Sequence, residues 1–426
     1  MYNIQIRFTL LFVMICGIVQ AQNTTSPYSI YGLGDFETNG YNRTTGLGGA
    51  GTAYRTDNAI IQNNPAALTG LVPQFFHVEA GGRGQFSSYA NAAYTNYNGQ
   101  GAAQVSNDFM VTRFAFATKV TRWWGSSIGL MPYTQMNYNF TALLPTNGEL
   151  DPVTYTGTGG IHKVYWGNGF SLGKHFSVGA TTSFLFGALN QDEVQVDAAS
   201  GSSIETTRNL YLNNINFDFG AQYYTQFGKN KRWGLVLGAT YTPAQKLWGQ
   251  DSLSVIDNGV IAGADELLDQ NSFGLPQMFG GGISLSKDSR MRKITFIADY
   301  QQQNWNNLND FGQGYTLNNS QRYSAGVEIA KRANIFNTPV EHLYYQFGGY
   351  YYKTYLNLAG DPVQEAALTV GIGVNPLRYP KWGYNVSLEA GSRFTTEVGA
   401  IREDFVRLNI TIHYWDIWMT KGRRLP

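Results

Sequence analysis

Five histidines, His77, His162, His175, His342 and His413, are the first groups to test for catalysis or metal binding, since imidazole titrates near neutral pH and is a common metal ligand. They fall on different predicted strands and turns with no ligand spacing among them, so they predict no metal site. A lipase would need Ser, His and an Asn or Asp orienter in contact, and nothing in the pattern singles out an activated nucleophile. The chain therefore reads as a non-enzyme without a cofactor, an outer-membrane lipase being the third and weakest alternative. Asp192, Glu193 and Asp197 could face calcium, but they lack the spacing of a calcium loop and read as a solvated loop. Gly46, Gly48 and Gly51, with Gly49 at an intervening position, match G-x-G-x-x-G. That fingerprint binds dinucleotides only in a strand-turn-helix unit with an acid further on, which is absent here. Close backbone packing is the better use for these glycines.

The charges that do form a pattern lie near the two ends of the mature chain. Alternation places Glu79 and Arg83 on one face of the first predicted strand, Glu389 and Arg393 on one face of the thirteenth, and Arg407 on the fourteenth between them. Against lipid a mid-depth Arg costs roughly 2–4 kcal/mol, so these five are expected inside, as a lumenal cluster pairing across neighbouring strands.

Those strands come from period-two alternation, placed near 73–86, 108–120, 126–139, 161–172, 176–190, 208–227, 232–247, 271–286, 293–303, 319–330, 342–356, 364–375, 383–396 and 403–415. The last is the clearest, with Val406, Leu408, Ile410, Ile412 and Tyr414 on one face and Arg407, Asn409, Thr411 and His413 on the other. Short turns alternate with long segments at 140–160, 191–207, 248–270 and 304–318, which read as extracellular loops. The even count, 14% charged and 15% aromatic residues predict an all-β fold, a fourteen-stranded antiparallel transmembrane β-barrel, monomeric, in a bacterial outer membrane with both termini periplasmic. A net charge of +1 gives no field for nucleic acid. Basic turns on the periplasmic side read as lipid anchors and leave room for a periplasmic protein partner.

Residues 1–21 have the parts of a signal peptide: Arg7, an apolar run from Phe8 to Val19, and Ala21 at the end. Cys16 lies inside it, so the mature chain, from Gln22, would carry no disulfide or thiolate metal site. Residues 22–71 are polar and Gly-rich, expected as a hatch folded inside the barrel of 72–415; a tail of 416–426 follows. Asn64 suits an N-cap, Pro65 the first position of a short helix, and Ala66 its continuation. Phe75 and Ile297 share faces with polar residues, and either line an open lumen or pack on the hatch.

The run from Gly46 to Leu68, with Asp57-Asn58-Ala59-Ile60 and Asn64-Pro65-Ala66, resembles the hatch of the long-chain fatty acid transporter (FadL-like) family. Ser26-Pro27-Tyr28 to Gly34-Asp35, Gly391 to Thr395, Ile401-Arg402-Glu403 and Asp416 to Arg424 resemble that family's Bacteroidota branch. The resemblance implies a fourteen-stranded barrel plugged by its N-terminus, and it implies one of two roles. Transporters of the family move hydrophobic small molecules that leave sideways through a gap in the wall, which makes gated passive uptake the leading expectation. Other members are type IX secretion components that bind protein partners, and the eleven residues after Trp415 depart from the transporter pattern.

Overall fold

The computed structural model describes residues 26–417, apart from 38–39, 96–100, 147–148, 198, 270–271, 307, 309–314, 336–337, 359, 378–380 and 397–400. The expected signal peptide 1–21, the start of the hatch at 22–25 and the tail from 418 lie outside the described residues.

A short strand, β1 (Asp35–Phe36), precedes the wall. The wall then runs β2 (Phe75–Thr95), β3 (Gly101–Lys119), β4 (Trp124–Gln135) continued by β5 (Tyr138–Thr146), β6 (Glu149–Leu172), β7 (Phe176–Val196) and β8 (Ser203–Phe227). Next come β9 (Trp233–Thr242) continued by β10 (Gln245–Asp257), β11 (Val260–Asp269) continued by β12 (Ser272–Leu275) and β13 (Gln277–Asp288), and β14 (Arg292–Asn304). The circuit ends with β15 (Tyr315–Leu317) continued by β16 (Ser320–Ile335), β17 (Thr338–Leu358), β18 (Asp361–Val374), β19 (Trp382–Phe394) and β20 (Arg402–Ile417). Continued segments form single staves, so the barrel has fourteen, all antiparallel, as the alternation predicts. It closes where β2 pairs with β20, from Phe75↔Ile417 to Ala90↔Arg402. Closure leaves no edge at that seam, the condition for placing backbone donors and acceptors in lipid.

The pleat sorts the side chains. On β20, Val406, Leu408, Ile410 and Ile412 are 41%, 40%, 44% and 40% exposed, while Arg407, Asn409, Thr411 and His413 are buried. The same outward apolar face recurs as Phe109, Val111 and Phe114 on β3 and Phe347 on β17. Among the described residues no helix is long and apolar enough to cross a membrane.

The expected long loops 140–160, 191–207 and 248–270 are mostly strand, as the tall hairpins β5–β6, β7–β8 and β10–β11. Alternation fades there because polar residues occupy both faces, whereas the ladder needs only backbone partners.

Residues 26–71 thread the lumen as irregular chain with 3₁₀ turns at Pro27–Ile30, Thr45–Leu47 and Pro65–Gly70. The descent starts at the loop end: Ser26 Oγ donates to Glu403 Oε2 at 2.6 Å, and the Tyr28 hydroxyl donates to the Ile401 carbonyl. It finishes at the short-turn end, where Phe75 faces Ile417. The first and last described residues thus lie at opposite ends of the barrel; the chain ends themselves, expected on the periplasmic side, lie outside the described residues. Periodicity carries no information about the direction in which an irregular segment enters a lumen. Leu47, Ala50, Tyr54, Ala59, Ile61 and Ala67 pack with Ile297, so Ile297 contacts the hatch rather than an open lumen.

Candidate functional site

Wall side chains hold the hatch by its backbone. Irregular chain leaves N–H and C=O groups unpaired, and burial makes each costly unless a partner is supplied. Asp299 on β14 accepts from the N–H groups of Gly51 and Thr52 at 2.7 and 2.6 Å. Thr369 on β18 accepts from Gly48 N at 2.9 Å and donates to Gly46 O at 3.0 Å. Gly48 has φ +68°, and a Cβ there would run into the Gly349 carbonyl, so both its conformation and its closeness to the wall require glycine. Gly49, also at positive φ, donates its N–H to the Thr44 carbonyl. Asn64 accepts from Ala66 N at 3.0 Å at the start of the Pro65–Gly70 turn, while its amide donates to Thr52 O at 2.9 Å and to Ala221 O on β8 at 3.1 Å.

Lower in the lumen, Arg43 makes a two-point pair with Glu328 (3.0 and 2.8 Å) and meets Glu341 at 2.6 Å. The Gln346 amide ties this group together by donating to Arg43 O and Glu328 Oε2.

The five charges expected as one cluster all lie inside and buried, in three groups. Arg407 meets Glu389 at 2.8 Å and Glu365 at 3.3 Å; Arg393 meets Glu365 at 2.8 Å and Asp35 of the hatch at 2.9 Å. Arg83 pairs instead with hatch Glu37 at 3.0 Å, and Glu79 with Arg113 on β3 at 3.3 Å. Glu79 also accepts from Ile60 N at 2.6 Å. Sequence reasoning missed Asp35, Glu37, Arg43, Arg113, Glu328, Glu341 and Glu365. Glu328 and Glu365 occupy inward positions of alternating strands and carried a signal. The hatch acids did not, since irregular chain has no period.

Among the described residues the wall is broken in two places. β3 pairs with β4 only from Lys119↔Gly125 to Phe114↔Leu130. Above Phe114, β3 keeps β2 on one side and, among the described residues, no strand on the other. β4 slips register against β6 between Pro132 and Thr134, since proline cannot donate to a ladder. The freed edge of β4 is covered by the hatch: β1 pairs with it as Asp35↔Gln135 and Phe36↔Thr134, and Glu37 N donates to Tyr133 O at 3.0 Å. The Phe36 ring sits edge-on to Tyr133, Trp305 and Tyr355.

The second break lies between β8 and the β9–β10 stave, where pairing stops at Phe219↔Tyr241 and resumes at Asn213↔Trp248. Pro243 and Pro276 interrupt two adjacent staves there. Side chains take over from the ladder, with Thr242 Oγ1 donating to Asp218 Oδ1 at 2.6 Å and the Asn214 amide to Lys246 O.

Three interior spaces among the described residues are small. A cavity of about 160 Å³ lies behind the second break, lined by Phe36, Tyr133, Lys163, Asp218 and Met278. One of about 50 Å³ lies between Asp35, Glu37, Arg83, Arg393 and Arg407, and one of about 210 Å³ lies near the loop end beside Tyr31, Met136, Leu189, Arg208 and Phe273. An apolar cavity of ~150 Å³ accommodates benzene, so the first has the capacity for one small ring, with Lys163 and Asp218 as polar handles.

Two of the five histidines make structural bonds: His413 shares a hydrogen bond with Asn375 Oδ1 at 3.1 Å and His175 with Tyr224 O at 3.0 Å. Asp197 caps its own turn, accepting from the N–H groups of Ala199 and Ser200 at 2.8 Å each, which hold its carboxyl below the ordinary range. Asp192 accepts from the Thr207 hydroxyl at 2.8 Å. Among the described residues no three His, Cys, Asp or Glu side chains gather as a metal site.

The family model described as BamG matches residues 3–424. No curated protein matches the sequence. Among solved structures, a FadL homologue from Pseudomonas aeruginosa is similar at TM-score 0.56 and 12% identity, over 91% of this chain and 100% of that one. The toluene transporter TodX from Pseudomonas putida is similar at TM-score 0.51 and 14% identity, over 91% and 100%. The toluene transporter TbuX from Ralstonia pickettii follows at TM-score 0.53 and 15% identity, over 87% and 97%. At such identities the likeness is one of fold, a closed fourteen-stranded antiparallel β-barrel.

Proposed function

The chain belongs to the BamG family, and from that premise and the hatch-covered wall break we propose that it is a non-enzymatic outer-membrane barrel passing small hydrophobic molecules sideways into the bilayer. One observation carries the reading: β1 of the hatch occupies the free edge of β4 where β3 and β4 part. A two-residue ladder is the shortest pairing among the described strands, so it is the element suited to leave and return. Its departure would uncover the break from inside and enlarge the two cavities that Phe36 lines. The sideways route removes the need for an aqueous channel, since an apolar solute is more stable in the bilayer than in water. The similar structures include channels for toluene, which matches the size of the 160 Å³ cavity.

The test is a lock. Phe36→Cys with Thr134→Cys places two thiols across a direct strand pair, close enough to bridge. Cells producing the oxidised barrel should lose uptake of a small fluorescent aromatic, and reductant should restore it. Equal uptake in both states would sink the gate.

A second reading, a plugged barrel that binds protein partners through its surface, is favoured by the pinned hatch and the small cavities. Under that reading the lock changes no uptake, and a specific membrane protein co-purifies with both forms.

A further inference from the structure

The two wall breaks lie at different depths and face different surroundings. Counted from the short-turn end, β3 and β4 stay paired for six residues, Lys119 to Phe114, and β8 and β9 for nine, Phe227 to Phe219. At about 3.4 Å per residue, the second break opens roughly 10 Å nearer the loop end. Outside the first stand Phe109, Val111, Phe114, Ile128 and Leu130, a hydrocarbon surface. At the lip of the second, Phe219, Tyr241 and Phe279 form one row across three staves. The Tyr241 and Phe279 rings are 5.2 Å apart, and the Gln277 amide donates to the Tyr241 hydroxyl at 2.9 Å. Outward rings with a polar tip mark the membrane interface, so the second break opens at that level and the first against the acyl chains.

The two closures also differ in kind. Hatch backbone covers the first, whereas the second is barred by side chains around Asp218: Thr242 Oγ1 donates to its Oδ1 at 2.6 Å and the Asn216 amide to the same oxygen at 3.4 Å. Behind this bar lies the 160 Å³ cavity, lined by Asp218 and Thr242 on one side and by Tyr133 and Lys163 on another. Among the described residues Lys163 makes no ion pair, and its ammonium stands 5.8 Å from the centre of the Tyr133 ring. A pure hydrocarbon seated there strips water from Asp218 and Lys163 and gives neither a partner, which costs affinity.

We propose that the break between β8 and the β9–β10 stave is a second side exit, selective for small neutral aromatics that carry a hydroxyl, the phenols, while hydrocarbons leave by the first. A phenolic O–H offers Asp218 the same donor that Thr242 supplies, so the solute opens the bar by exchanging one hydrogen bond for another. A hydrocarbon has no group to exchange. Level and size agree with this class. An amphiphilic ring is most stable at the interface, where this break opens, and the cavity behind it has the capacity for one ring. The inference rests on the reading that solutes leave sideways, but it concerns a different break from the one β1 covers.

Asp218→Cys with Thr242→Cys, at positions whose side chains touch, sets a disulfide across the second break. Cells producing the full-length barrel are to be given radiolabelled phenol or toluene, with the Phe36–Thr134 lock in parallel. Oxidation at 218 and 242 should stop phenol uptake and spare toluene, with reductant reopening the path, and oxidation at 36 and 134 should stop toluene alone. Two single variants test the exchange without a lock. Thr242→Val removes the competing donor and should raise phenol entry several-fold. Asp218→Asn should cut the preference for phenol over toluene about tenfold, the loss of a bond to a charged acceptor, while the heat-modifiable gel shift stays normal. Phenol uptake that survives the oxidised 218–242 lock, in cells where the 36–134 lock stops toluene, would overturn the second exit and leave the gate standing. An equal loss of both solutes in the 218–242 lock would overturn the selectivity, and no effect of either lock on either solute would overturn the exit together with the gate.

Discussion

Arg407 on β20 stands directly opposite Glu389 on β19 in the strand register, and the two side chains meet inside the barrel at 2.8 Å. The same guanidinium reaches Glu365 on β18 and donates to Gln85 on β2, so one side chain spans four consecutive staves across the closing seam. Register and charge specify each other there, because a slip of one residue would turn Arg407 into lipid.

Removing one member of this group should therefore cost more than removing two. Arg407→Met leaves the buried Glu389 carboxylate without a cation, with only the Tyr350 hydroxyl donating to it, and is expected to lose about 3–5 kcal/mol in urea unfolding from vesicles. Arg407→Met combined with Glu389→Gln should regain part of it. A neutral single variant would show that the seam is held by its ladder alone.

The register itself can be read by labelling. Leu408 is 40% exposed and Arg407 9%. Cysteine at 408 should react with a lipid-phase maleimide and cysteine at 407 should not. The reverse pattern would invert every inward and outward assignment on β20.

Asp299→Asn tests the hold on the hatch. The carboxylate accepts two hatch N–H groups on one oxygen, and hydrogen bonds to a charged acceptor are worth about 1.5–3 kcal/mol. Amide exchange at Gly51 and Thr52 should accelerate by about tenfold for each 1.4 kcal/mol lost, with exchange in the wall ladders unchanged. Equal acceleration in the wall would mean that hatch and barrel open together.

Arg43 should matter more than Glu341 for the seal. Arg43 is 4% exposed and pairs with two carboxylates, while Glu341 is 18% exposed, with Arg43 as its ion-pair partner and the Asn58 amide as a further donor. Arg43→Met is expected to raise entry of large antibiotics in cells, and Glu341→Gln to raise it less. No change in either variant with normal insertion would show that the hatch seals without this group.

The sequence by itself determined the wall. Fourteen staves, their inward and outward faces, and the burial of Glu79, Arg83, Glu389, Arg393 and Arg407 follow from period two, because a strand with lipid on one side and a crowded lumen on the other allows only one placement of charge. Tertiary structure decided the partners. Arg83 and Glu79, read as seam residues, bond to Glu37 and Arg113, since an inward side chain meets whatever the lumen holds, and the path of the hatch is fixed by wall carboxylates far away in sequence. The wall breaks were half legible. Pro132, Pro243 and Pro276 announce missing donors inside strand patterns. Only the folded barrel shows that β1 covers one break and that side chains bridge the other, because an unpaired edge is satisfied by the segment nearest in space, and alternation along one strand records its two faces but not its neighbours.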